Sequence, residues 1–499
     1  MTLLLQTLIL IQIAMGAFDT LFHHEFTERL AWRPSQKDEL RLHGIRNLLY
    51  AGLFIVIGCL EVTGGYAVAI GMLLVIELGI TLVDFVEEDM TRKLPASERV
   101  THTLMALNYG AILVLLAPVL IGWAQSPTGL VLVSYGLWSA IMVFAAIAVG
   151  VFGVRDLLAV KRLTRMAAAP RPPLLAKANK AQSILITGGT GFIGTRLVEA
   201  FVASGHKVTV LTRDFENAAH LATPVRIITD LNQIHTADNF DTVINLAGAP
   251  TAGWFWTETY KEKILNSRLD MTRDLVAMMA RLKTAPACFI SSSAIGAYGI
   301  GASAPTTEAM PIARDGTFAQ TLCLEWEAAG LEAKALGIRT VLLRTGMVLD
   351  TAGGPLGQML FAFEFGLGGP FGKGDHWMSW ITRDDLVRLI DHAIHTDAIA
   401  GPLNATAPEP VTNITYTKAL GRALNRPTVL AIPDVVLRKG LGELGTGIFL
   451  ASQNVPPALA LQTGFEFTAD TIDEAFVDIF KTTRHGQAKH RAQEKTPAQ

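Results

Sequence analysis

The stretch SILITGGTGFIG, residues 183–194, decides the fold of the larger part of this 499-residue chain. SILIT (183–187) is a short apolar run typical of a buried strand, and glycines then recur at Gly188, Gly191 and Gly194. Such a turn brings the free N–H groups of a helix N-terminus together, and these favour an anion such as a pyrophosphate. The strand–turn–helix context therefore predicts a dinucleotide-binding turn.

The residues after this turn alternate between strand-like and helix-like patterns. A helix is predicted from Thr195 to about Ser204, and further strands at KVTVLTRD (207–214), VRIIT (225–229) and TVINLAG (242–248). Strands that alternate with helices along a chain form a parallel sheet that helices cover on both faces. The sequence therefore predicts an α/β fold, a Rossmann doubly wound parallel sheet with a smaller C-terminal substrate lobe.

The glycine turn and the second strand also indicate which cofactor is bound. Gly188 permits the tight turn, Gly191 lets the backbone approach the pyrophosphate, and Gly194 lets the helix pack on the strand. Arg213 ends the second strand, and an arginine suits the 2′-phosphate of NADP(H), whereas NAD(H) sites usually have an acid there. NADP(H) is favoured over NAD(H). Asp214 keeps NAD(H) open, and the alternative for Arg213 is a strand cap that points to water.

The first third of the chain is apolar enough to form membrane helices. A bilayer core requires about 20 helical residues, and five segments come near or exceed that length. The predicted spans lie near residues 2–18, 47–63, 66–83, 103–123 and 128–154. The first span lacks the basic start and cleavage site of a signal peptide, so we expect it to be retained. A buried hairpin is the alternative for the second and third spans.

Basic residues determine the predicted orientation of these spans. Lys and Arg concentrate after spans one, three and five, and the turns at 63–65 and 124–127 contain neither. Positively charged loops remain in the cytoplasm. The pattern predicts a multi-pass protein of the inner (plasma) membrane, with the lipid bilayer as a partner, the N-terminus outside and all residues after 155 in the cytoplasm.

Ionisable residues collect on the predicted cytoplasmic side of the membrane helices. Three pairs are four residues apart and share a helix face: Asp19 and His23, Asp84 and Glu88, Glu98 and His102. Imidazole and carboxylate groups are ligands of transition metals, which makes His23, His102, Asp84 and Glu88 candidate metal ligands. A network of salt bridges and helix caps is the simpler interpretation, and both stay open.

Composition excludes several other classes of protein. The net charge of −2 offers no global attraction for nucleic acid. The three cysteines have no close spacing, so neither a disulfide framework nor a zinc cluster is expected. The predicted organisation is a transmembrane domain (1–165), a linker (166–182), a Rossmann domain (183–345), a substrate lobe (346–482) and a disordered tail (483–499).

Several motifs in the second part of the chain together resemble one protein family. They are TGGTGFIG (187–194), INLAGAP (244–250), NSR (266–268), SSSAIGAYG (291–299), LRTGMVL (343–349), GLGGPFGKG (366–374), WMSWI (377–381) and LNATAPEPVTN (403–413). In this order they resemble an atypical extended short-chain dehydrogenase/reductase of the epimerase-family branch. That branch carries an extra C-terminal domain, which corresponds here to residues 431–480. The resemblance covers about 183–480, so the membrane segment is an N-terminal fusion.

The resemblance implies roles for particular residues. The expected cofactor-binding residues are Gly188, Gly191, Phe192, Ile193, Gly194, Arg213, Asp230, Ala247 and Gly248. Ser293 corresponds to the catalytic serine or threonine that hydrogen-bonds the reacting oxygen. The expected substrate residues, where the lobe closes over the cleft, are Arg344, Trp377, Ser379 and Trp380. The alternative for the tryptophans is packing in the core of the lobe.

One feature of the family is missing from the sequence. Ordinary members use a tyrosine and a lysine four residues later, because the cation lowers the pKa of the phenol. None of the seven tyrosines here is followed by lysine at that distance, and Phe318 and Leu322 stand at the corresponding positions. Tyr298 is the first candidate for a replacement acid–base, and His376 is another. Glu325 and Glu327 also follow the missing site, but they are expected to face solvent.

Three hypotheses of function follow from these observations. The favoured one is a membrane-anchored NADP(H)-binding reductase or epimerase-type oxidoreductase that acts on an unidentified small molecule. The second is a catalytically inactive module that senses NADP(H). The third is a membrane redox unit coupled to a metal site at the inner face.

Overall fold

The computed structural model describes residues 2–92, 94–168, 173–251 and 255–480. The chain divides into two compact units between residues 169 and 170. The predicted tail (483–499) and residues 169–172 of the predicted linker lie outside the described residues. Residues 166–168, which were predicted as linker, are the last turn of a helix.

Five long helices make up most of the first unit. They are α1 (Leu3–Phe18), α2 (Lys37–Cys59), α3 (Gly65–Thr91), α4 (Ala96–Ala124) and α5 (Leu137–Ala168). A ten-residue π-helical segment, Asp19–Glu28, continues from α1. Within the described residues, five helical segments are long and apolar enough to cross a membrane, the number that the sequence predicts.

The boundaries of two predicted spans are wrong. Leu60–Thr63, predicted as the end of the second span, is a strand that pairs antiparallel with Gly129–Leu132, predicted as the start of the fifth. Gly64, which follows the first of these strands, has φ +59°. Glycine adopts a positive φ without the steric penalty that a Cβ would add, so the strand ends at this residue. Helix α2 begins at Lys37, ten residues before the predicted span. Its first turns carry charged residues, so the apolar segment alone does not show where the helix begins.

The second unit contains the predicted parallel sheet. Its strands are β1 (Ser183–Thr187), β2 (Lys207–Leu211), β3 (Val225–Ile228), β4 (Thr242–Asn245), β5 (Cys288–Ala294), β6 (Arg339–Thr345) and β7 (Gly401–Ala405). All neighbouring strands are parallel, in the order β7-β6-β5-β4-β1-β2-β3. The α/β doubly wound fold class is confirmed.

Helices cover both faces of this sheet. The helices of the second unit are α6 (Phe192–Ala203), α7 (Glu258–Ala280), α8 (Phe318–Leu331), α9 (Gly354–Glu364), α10 (Arg383–His395), α11 (Asn413–Leu424), α12 (Asp434–Leu444), α13 (Ala458–Gln462) and α14 (Ile472–Phe480), and the later ones belong to the smaller lobe. Side chains alternate across β1, so Ile184 and Ile186 join one apolar core while Leu185 joins the other. Both faces of the sheet are therefore closed by helices.

The smaller lobe is built from short strands and the later helices. Its two-stranded pairs are Met347–Leu349 with Trp380–Thr382, Trp377–Met378 with Val411–Thr412, and Ser452–Gln453 with Gly301–Ala302. Strand β7 lies within the predicted substrate lobe (346–482) but is the edge strand of the main sheet, so the sheet extends past the predicted boundary at 345.

Candidate functional site

The glycine turn after β1 leaves no room for larger side chains. Gly188 has φ +68°, and a Cβ placed on it would lie 2.8 Å from the backbone of Leu246. A Cβ on Gly194 would lie 2.1 Å from the carbonyl oxygen of Gly188. The first helix turn therefore packs directly on the loop, the arrangement that a phosphate-binding turn needs.

The helix after this turn starts earlier than the sequence predicts. Gly191 is the N-cap of α6 and the first helical residue is Phe192, not Thr195. The N–H of Thr195 donates to the carbonyl of Gly191 at 2.9 Å, so Phe192, Ile193 and Gly194 form the first turn. The N–H groups of a first turn have no acceptor within their own helix. They are thus available at the position predicted for the pyrophosphate.

The side chain of Phe192 packs away from this turn. A Cβ on Gly353 would lie 2.7 Å from its ring, and the Arg383 guanidinium lies 4.9 Å from the ring centre. Phe192 therefore fixes α6 against the segment that leads into α9. Its expected contact with a cofactor would come from its backbone.

Two further predicted cofactor residues follow the outer strands. Arg213 is exposed two residues after β2 ends at Leu211. Asp230 is also exposed, but its carboxylate caps the short helix Leu231–Gln233 and accepts from the N–H of Asn232 at 2.7 Å. The cap accounts for Asp230 without a cofactor, whereas the role of the exposed Arg213 at a ribose phosphate stays a prediction.

The loop after β4 is held by residues whose role the sequence reasoning missed. A Cβ on Gly248 would lie 2.9 Å from the guanidinium carbon of Arg268, a buried residue of α7. The N–H of Ala249 donates to the Ser267 hydroxyl at 3.0 Å. The NSR motif (266–268) therefore supports the predicted cofactor residues Ala247 and Gly248 from behind.

Three adjacent strands place polar side chains in one row. Ser293 of β5 lies opposite Arg344 of β6, which in turn lies opposite Asn404 of β7. All three residues are buried. The row occurs near the carboxyl ends of these strands, and in doubly wound sheets ligands bind outside those ends.

Glu327 joins this row from helix α8. Its carboxylate accepts from the Ser293 hydroxyl at 2.7 Å and from two nitrogens of Arg344, each at 2.7 Å. The prediction that Glu327 faces solvent is wrong, because the side chain lies on the inner face of α8 and is buried. The same prediction is confirmed for Glu325, which is exposed. A helical period over α8 places residues 323, 326 and 327 on one side, which is the signal that identifies the inner glutamate.

Tyr298 completes the buried network. Its hydroxyl donates to the side-chain oxygen of Asn404 at 2.8 Å, and the Arg344 guanidinium lies 4.7 Å from its ring centre. Burial raises the pKa of the Tyr298 phenol above its ordinary value, although the Arg344 charge opposes the shift. The side chain is therefore a protonated phenol at neutral pH, suited to donate a proton rather than to remove one.

The positions of the missing tyrosine and lysine are occupied by apolar side chains. Phe318 begins α8, and its ring packs edge-on against Trp256 at 5.1 Å, while Leu322 is buried. The Lys261 amine lies 5.5 Å from the Phe318 ring centre but pairs with Glu443 at 2.5 Å. This lysine comes from α7 and does not reproduce the usual tyrosine–lysine pair.

The second unit is similar to known proteins. Residues 184–404 match the NAD dependent epimerase/dehydratase family, and residues 432–479 match a domain of unknown function, DUF1731. An epimerase family protein of Mycobacterium leprae is 38% identical over 318 residues, which are 63% of this chain and 100% of that protein. The chain belongs to the NAD dependent epimerase/dehydratase family. The predicted extra domain at 431–480 coincides with the second match.

Human proteins of the family are also similar. The human epimerase family protein SDR39U1 is 32% identical over 298 residues, which are 59% of this chain and 99% of the human protein. The crystal structure of its isoform 2 with NADPH superposes with a TM-score of 0.54 at 30% identity, covering 60% of this chain and 100% of that one. Family membership establishes an NAD(P)-binding fold of the oxidoreductase type for the second unit.

Within this family fold, two of the four predicted substrate residues are occupied by structural contacts. The Ser379 hydroxyl donates to the Gln453 carbonyl and accepts from the Val455 N–H, both at 2.8 Å. Trp380 is fully buried, and its indole N–H donates to the Glu409 carbonyl at 3.0 Å, so the core alternative applies to it. Their place at the substrate cleft stays a prediction. The lobe needs them to join its short strands.

The other two predicted substrate residues differ from each other. Arg344 belongs to the main sheet and is held by Glu327, so it does not lie on a closing lobe. Trp377 is half-buried in the strand pair with Thr412 and is the most exposed of the four residues. Burial lowers the pKa of the neighbouring His376, which favours its neutral form.

The candidate metal ligands of the first unit are only partly brought together. His102 and Glu88 belong to groups of side chains whose ligand atoms lie within 4.8 Å of one another, together with Asp19, His24, Glu39, His43 and Glu98. His23 and Asp84 belong to neither group. His23 is held by Asp19 at 2.8 Å and Ser97 at 3.2 Å, and Asp84 by Arg46 at 2.7 Å. Spacing along one helix does not show which side chains of different helices meet.

Proposed function

We propose that this protein is a membrane-anchored, NADP(H)-dependent oxidoreductase whose acid–base group differs from the usual tyrosine. The observation that carries the proposal is the buried network of Ser293, Glu327 and Arg344. It lies two strands from the glycine turn, near the same edge of the sheet. A buried ion pair with a serine hydroxyl bound to it is costly to keep in a fold unless it is fully paired, as it is here.

NADP(H) is the proposed cofactor because of the residues around the glycine turn. Arg213 is exposed just after β2, where a guanidinium would pair with a 2′-phosphate. The pyrophosphate would lie against the backbone of Gly188 and Gly194, which have no Cβ, and would accept hydrogen bonds from the free N–H groups at the start of α6. The human relative crystallised with NADPH supports the same choice.

The proposed membrane anchor is the first unit. Its helices expose large apolar side chains that water would not favour, among them Val75 at 70%, Val114 at 74% and Phe144 at 75%. The basic residues after spans one, three and five support a cytoplasmic location for the second unit under the rule for positive loops. The inner (plasma) membrane is therefore the proposed location.

Each residue of the network has a distinct proposed role. NADPH, when bound, supplies a hydride. Ser293 donates its hydroxyl proton to Glu327 in this structure, and it would turn that proton to the oxygen of the reacting group when a substrate is bound. Arg344 keeps the Glu327 carboxylate in place with two hydrogen bonds. Tyr298, a protonated phenol, is the proposed proton donor, since its ring lies 4.7 Å from the Arg344 guanidinium that binds Glu327.

An NADP(H)-sensing module without catalysis is the second candidate. It is favoured by Phe318, which has no proton to give, and by Leu322, which carries no charge. A cofactor bound beside these side chains would be held without being used. The two candidates differ in the role of the Ser293 hydroxyl. The oxidoreductase needs it for NADPH oxidation, whereas the sensing module does not.

The test uses the full-length protein in lipid nanodiscs. NADPH and NADH binding is measured by fluorescence, and NADPH oxidation is then followed with a panel of carbonyl compounds and membrane extracts. We expect NADPH to bind more tightly than NADH and to be oxidised by the wild type. Ser293→Ala should keep NADPH binding and lose turnover, while Glu325→Gln, an exposed change on the same helix as Glu327, should keep both. Tight binding without turnover for any acceptor would favour the sensor, and absence of binding would contradict both candidates.

A further inference from the structure

Four separate elements of the first unit bring ionisable side chains to one place. Asp19 and His24 come from the π-helical segment, His43 from α2, Glu88 from α3, and Glu98 and His102 from α4. π-Helical turns are rare and are frequently found at functional sites. The wider turn places Asp19, His23 and His24 side by side in the interior, where all three are buried.

The ligand atoms of Asp19, His24, Glu98 and His102 converge closely. The Asp19 Oδ2 atom lies 3.3 Å from Nε2 of His24 and 3.2 Å from Nε2 of His102. Nε2 of His24 lies 3.5 Å from Oε1 of Glu98. Atoms that sit about 2.1 Å from one ion in tetrahedral geometry are roughly 3.4 Å apart, so these separations are those of ligands around a single centre.

Two of the buried imidazoles lack a hydrogen-bond partner among the described residues. Nε2 of His24 lies 3.3 Å from Asp19 Oδ2 and 3.5 Å from Glu98 Oε1, and Nε2 of His43 lies 2.9 Å from Asp84 Oδ2, in each case without hydrogen-bond geometry. The Oε1 atom of Glu88 is likewise without a partner. Their residues are only 6%, 4% and 1% exposed. Buried polar atoms are nearly always satisfied, so three such atoms pointing into one cluster indicate an absent ligand.

The charges of the cluster are also unbalanced. Its buried carboxylates are Asp19, Glu39, Asp84, Glu88 and Glu98. The arginines paired with them are Arg46, which binds Asp84, and Arg92, which binds Glu39 and Glu98. Arg92 also lies 3.9 Å from Glu88, but the nearest partners of Asp19 and Glu88 are imidazoles, which carry a positive charge only when protonated. Buried carboxylates without a full counter-charge are costly. A cation between the carboxylates and imidazoles would supply the missing positive charge.

We propose that Asp19, His24, Glu98 and His102 bind one divalent first-row transition-metal ion. Nitrogen and oxygen ligands without a thiolate suit Zn²⁺, Fe²⁺, Mn²⁺ or Co²⁺ rather than a soft ion such as Cu⁺. The neighbouring group of Glu39, His43 and Glu88 shares His24 with this site and borders it. The site does not depend on the cofactor turn of the second unit or on the oxidoreductase activity proposed for it.

The remaining side chains of the cluster orient the ligands. His23 holds the second oxygen of Asp19 at 2.8 Å, and metal ligands are commonly fixed by such partners. Arg92 donates to both oxygens of Glu98 at 2.7 and 2.8 Å. A carboxylate has about four lone-pair positions, so Glu98 can accept from Arg92 and still bind an ion.

The test is the metal content of the full-length protein purified in mild detergent. The protein is stripped with a chelator, loaded with Co²⁺, desalted and analysed by mass spectrometry of the metal and by visible absorption. We expect one Co²⁺ per chain and the absorption bands of a nitrogen–oxygen site. His102→Gln and Glu98→Gln should each lose most of the bound Co²⁺ and the bands.

Glu77→Gln is the matched control. Glu77 is also fully buried in the first unit but is held by hydroxyls, including that of Tyr50 at 2.5 Å, and belongs to neither ligand group. This variant should keep one Co²⁺ per chain. The half-buried His102 tolerates change better than His24, and circular dichroism checks that each variant folds. Absence of stoichiometric Co²⁺ in the wild type, or equal Co²⁺ in the His102 and Glu98 variants, would overturn the proposal and leave an ion-pair network.

Discussion

The two units bury polar networks of opposite character. The second unit contains a network of five buried side chains: Ser293, Glu327, Arg344, Tyr298 and Asn404. The Arg344 guanidinium pairs with the Glu327 carboxylate, and none of the buried polar side-chain atoms of these five residues lacks a partner among the described residues. In the first unit, carboxylates outnumber arginines, and imidazole nitrogens remain without hydrogen bonds. Both networks lie in the interior of their unit, so solvent does not explain the difference.

The difference teaches what each network is suited to do. A satisfied network holds its members in fixed positions, so Glu327 and Arg344 keep Ser293 in the place where the proposed function requires a substrate to meet it. In an unsatisfied network, buried polar atoms have lost their hydrogen bonds to water without gaining others, and a ligand that binds them lowers the free energy of the folded state. The first is therefore expected to fail when a member is removed. The second is expected to gain stability when an ion is added.

The largest effect is expected from breaking the satisfied network. Glu327→Gln leaves the Arg344 guanidinium buried without a counter-charge, and loss of one partner of a buried pair costs about 3–5 kcal/mol. The thermal unfolding transition of the second unit should fall accordingly in the full-length protein. Glu325→Gln, exposed on the same helix, should change the free energy of unfolding by about 0.5 kcal/mol or less. Equal stability of both variants would mean that the network does not hold the sheet.

The second effect concerns the unsatisfied cluster. An ion that binds only the folded state at one hundred times its Kd stabilises it by about 2.7 kcal/mol. We therefore expect Co²⁺ to raise the thermal midpoint of the first unit in the wild type but not in Glu98→Gln, which removes one ligand charge. The second unit serves as an internal control, since its transition should stay where it was. A rise of the same size in the variant would remove the distinction between the two networks.

A third effect sharpens the assignment of the cofactor. Arg213→Ala removes the cation expected at the 2′-phosphate, and hydrogen bonds between charged groups are worth enough to weaken NADPH binding about tenfold or more. NADH binding should change little, because NADH has no such phosphate. Titration of both nucleotides against the wild type and the variant measures the ratio. An unchanged preference would favour the alternative in which Arg213 only points to water.

The smallest effect is expected at the edge of the satisfied network. Tyr298→Phe removes the hydrogen bond to Asn404, at a cost of about 1 kcal/mol. Because burial raises the pKa of Tyr298, its phenol is protonated in the folded state at neutral pH. The cost should therefore be the same at pH 6 and pH 8, and should shrink only in alkali, where the unfolded phenol ionises first. Chemical denaturation at these pH values measures it, and a cost that already falls between pH 6 and pH 8 would contradict a protonated phenol.

Local patterns predicted much of the fold. The glycine turn, the strand–helix alternation and the apolar segments identified the parallel sheet and the number of long helices, because each depends on neighbouring residues. The start of α6 was missed by three residues, since Phe192 and Ile193 can continue the turn or begin the helix equally well. Strand β7 was assigned to the lobe because its pairing partner, β6, lies far away in sequence.

The candidate site was predicted less well than the fold. Ser293 and the missing tyrosine and lysine could be read from motif order, because each follows a recognisable strand. The contact of Glu327 with Ser293 and Arg344 could not, because it depends on which face of α8 meets the sheet. The contact of His24 with Glu98 likewise depends on how the π-helical segment packs against α4. These two elements are far apart in the sequence: the hydrogen bond between His23 and Ser97, for example, joins residues that are 74 positions apart.

Native mass spectrometry of the full-length protein with NADPH and Co²⁺ together tests the account most directly. The account predicts one NADPH and one Co²⁺ per chain in the wild type. Glu98→Gln should lose only the metal and Arg213→Ala should weaken only the nucleotide, because each ligand has its own network. A chain that binds neither ligand, or variants that lose both together, would contradict it.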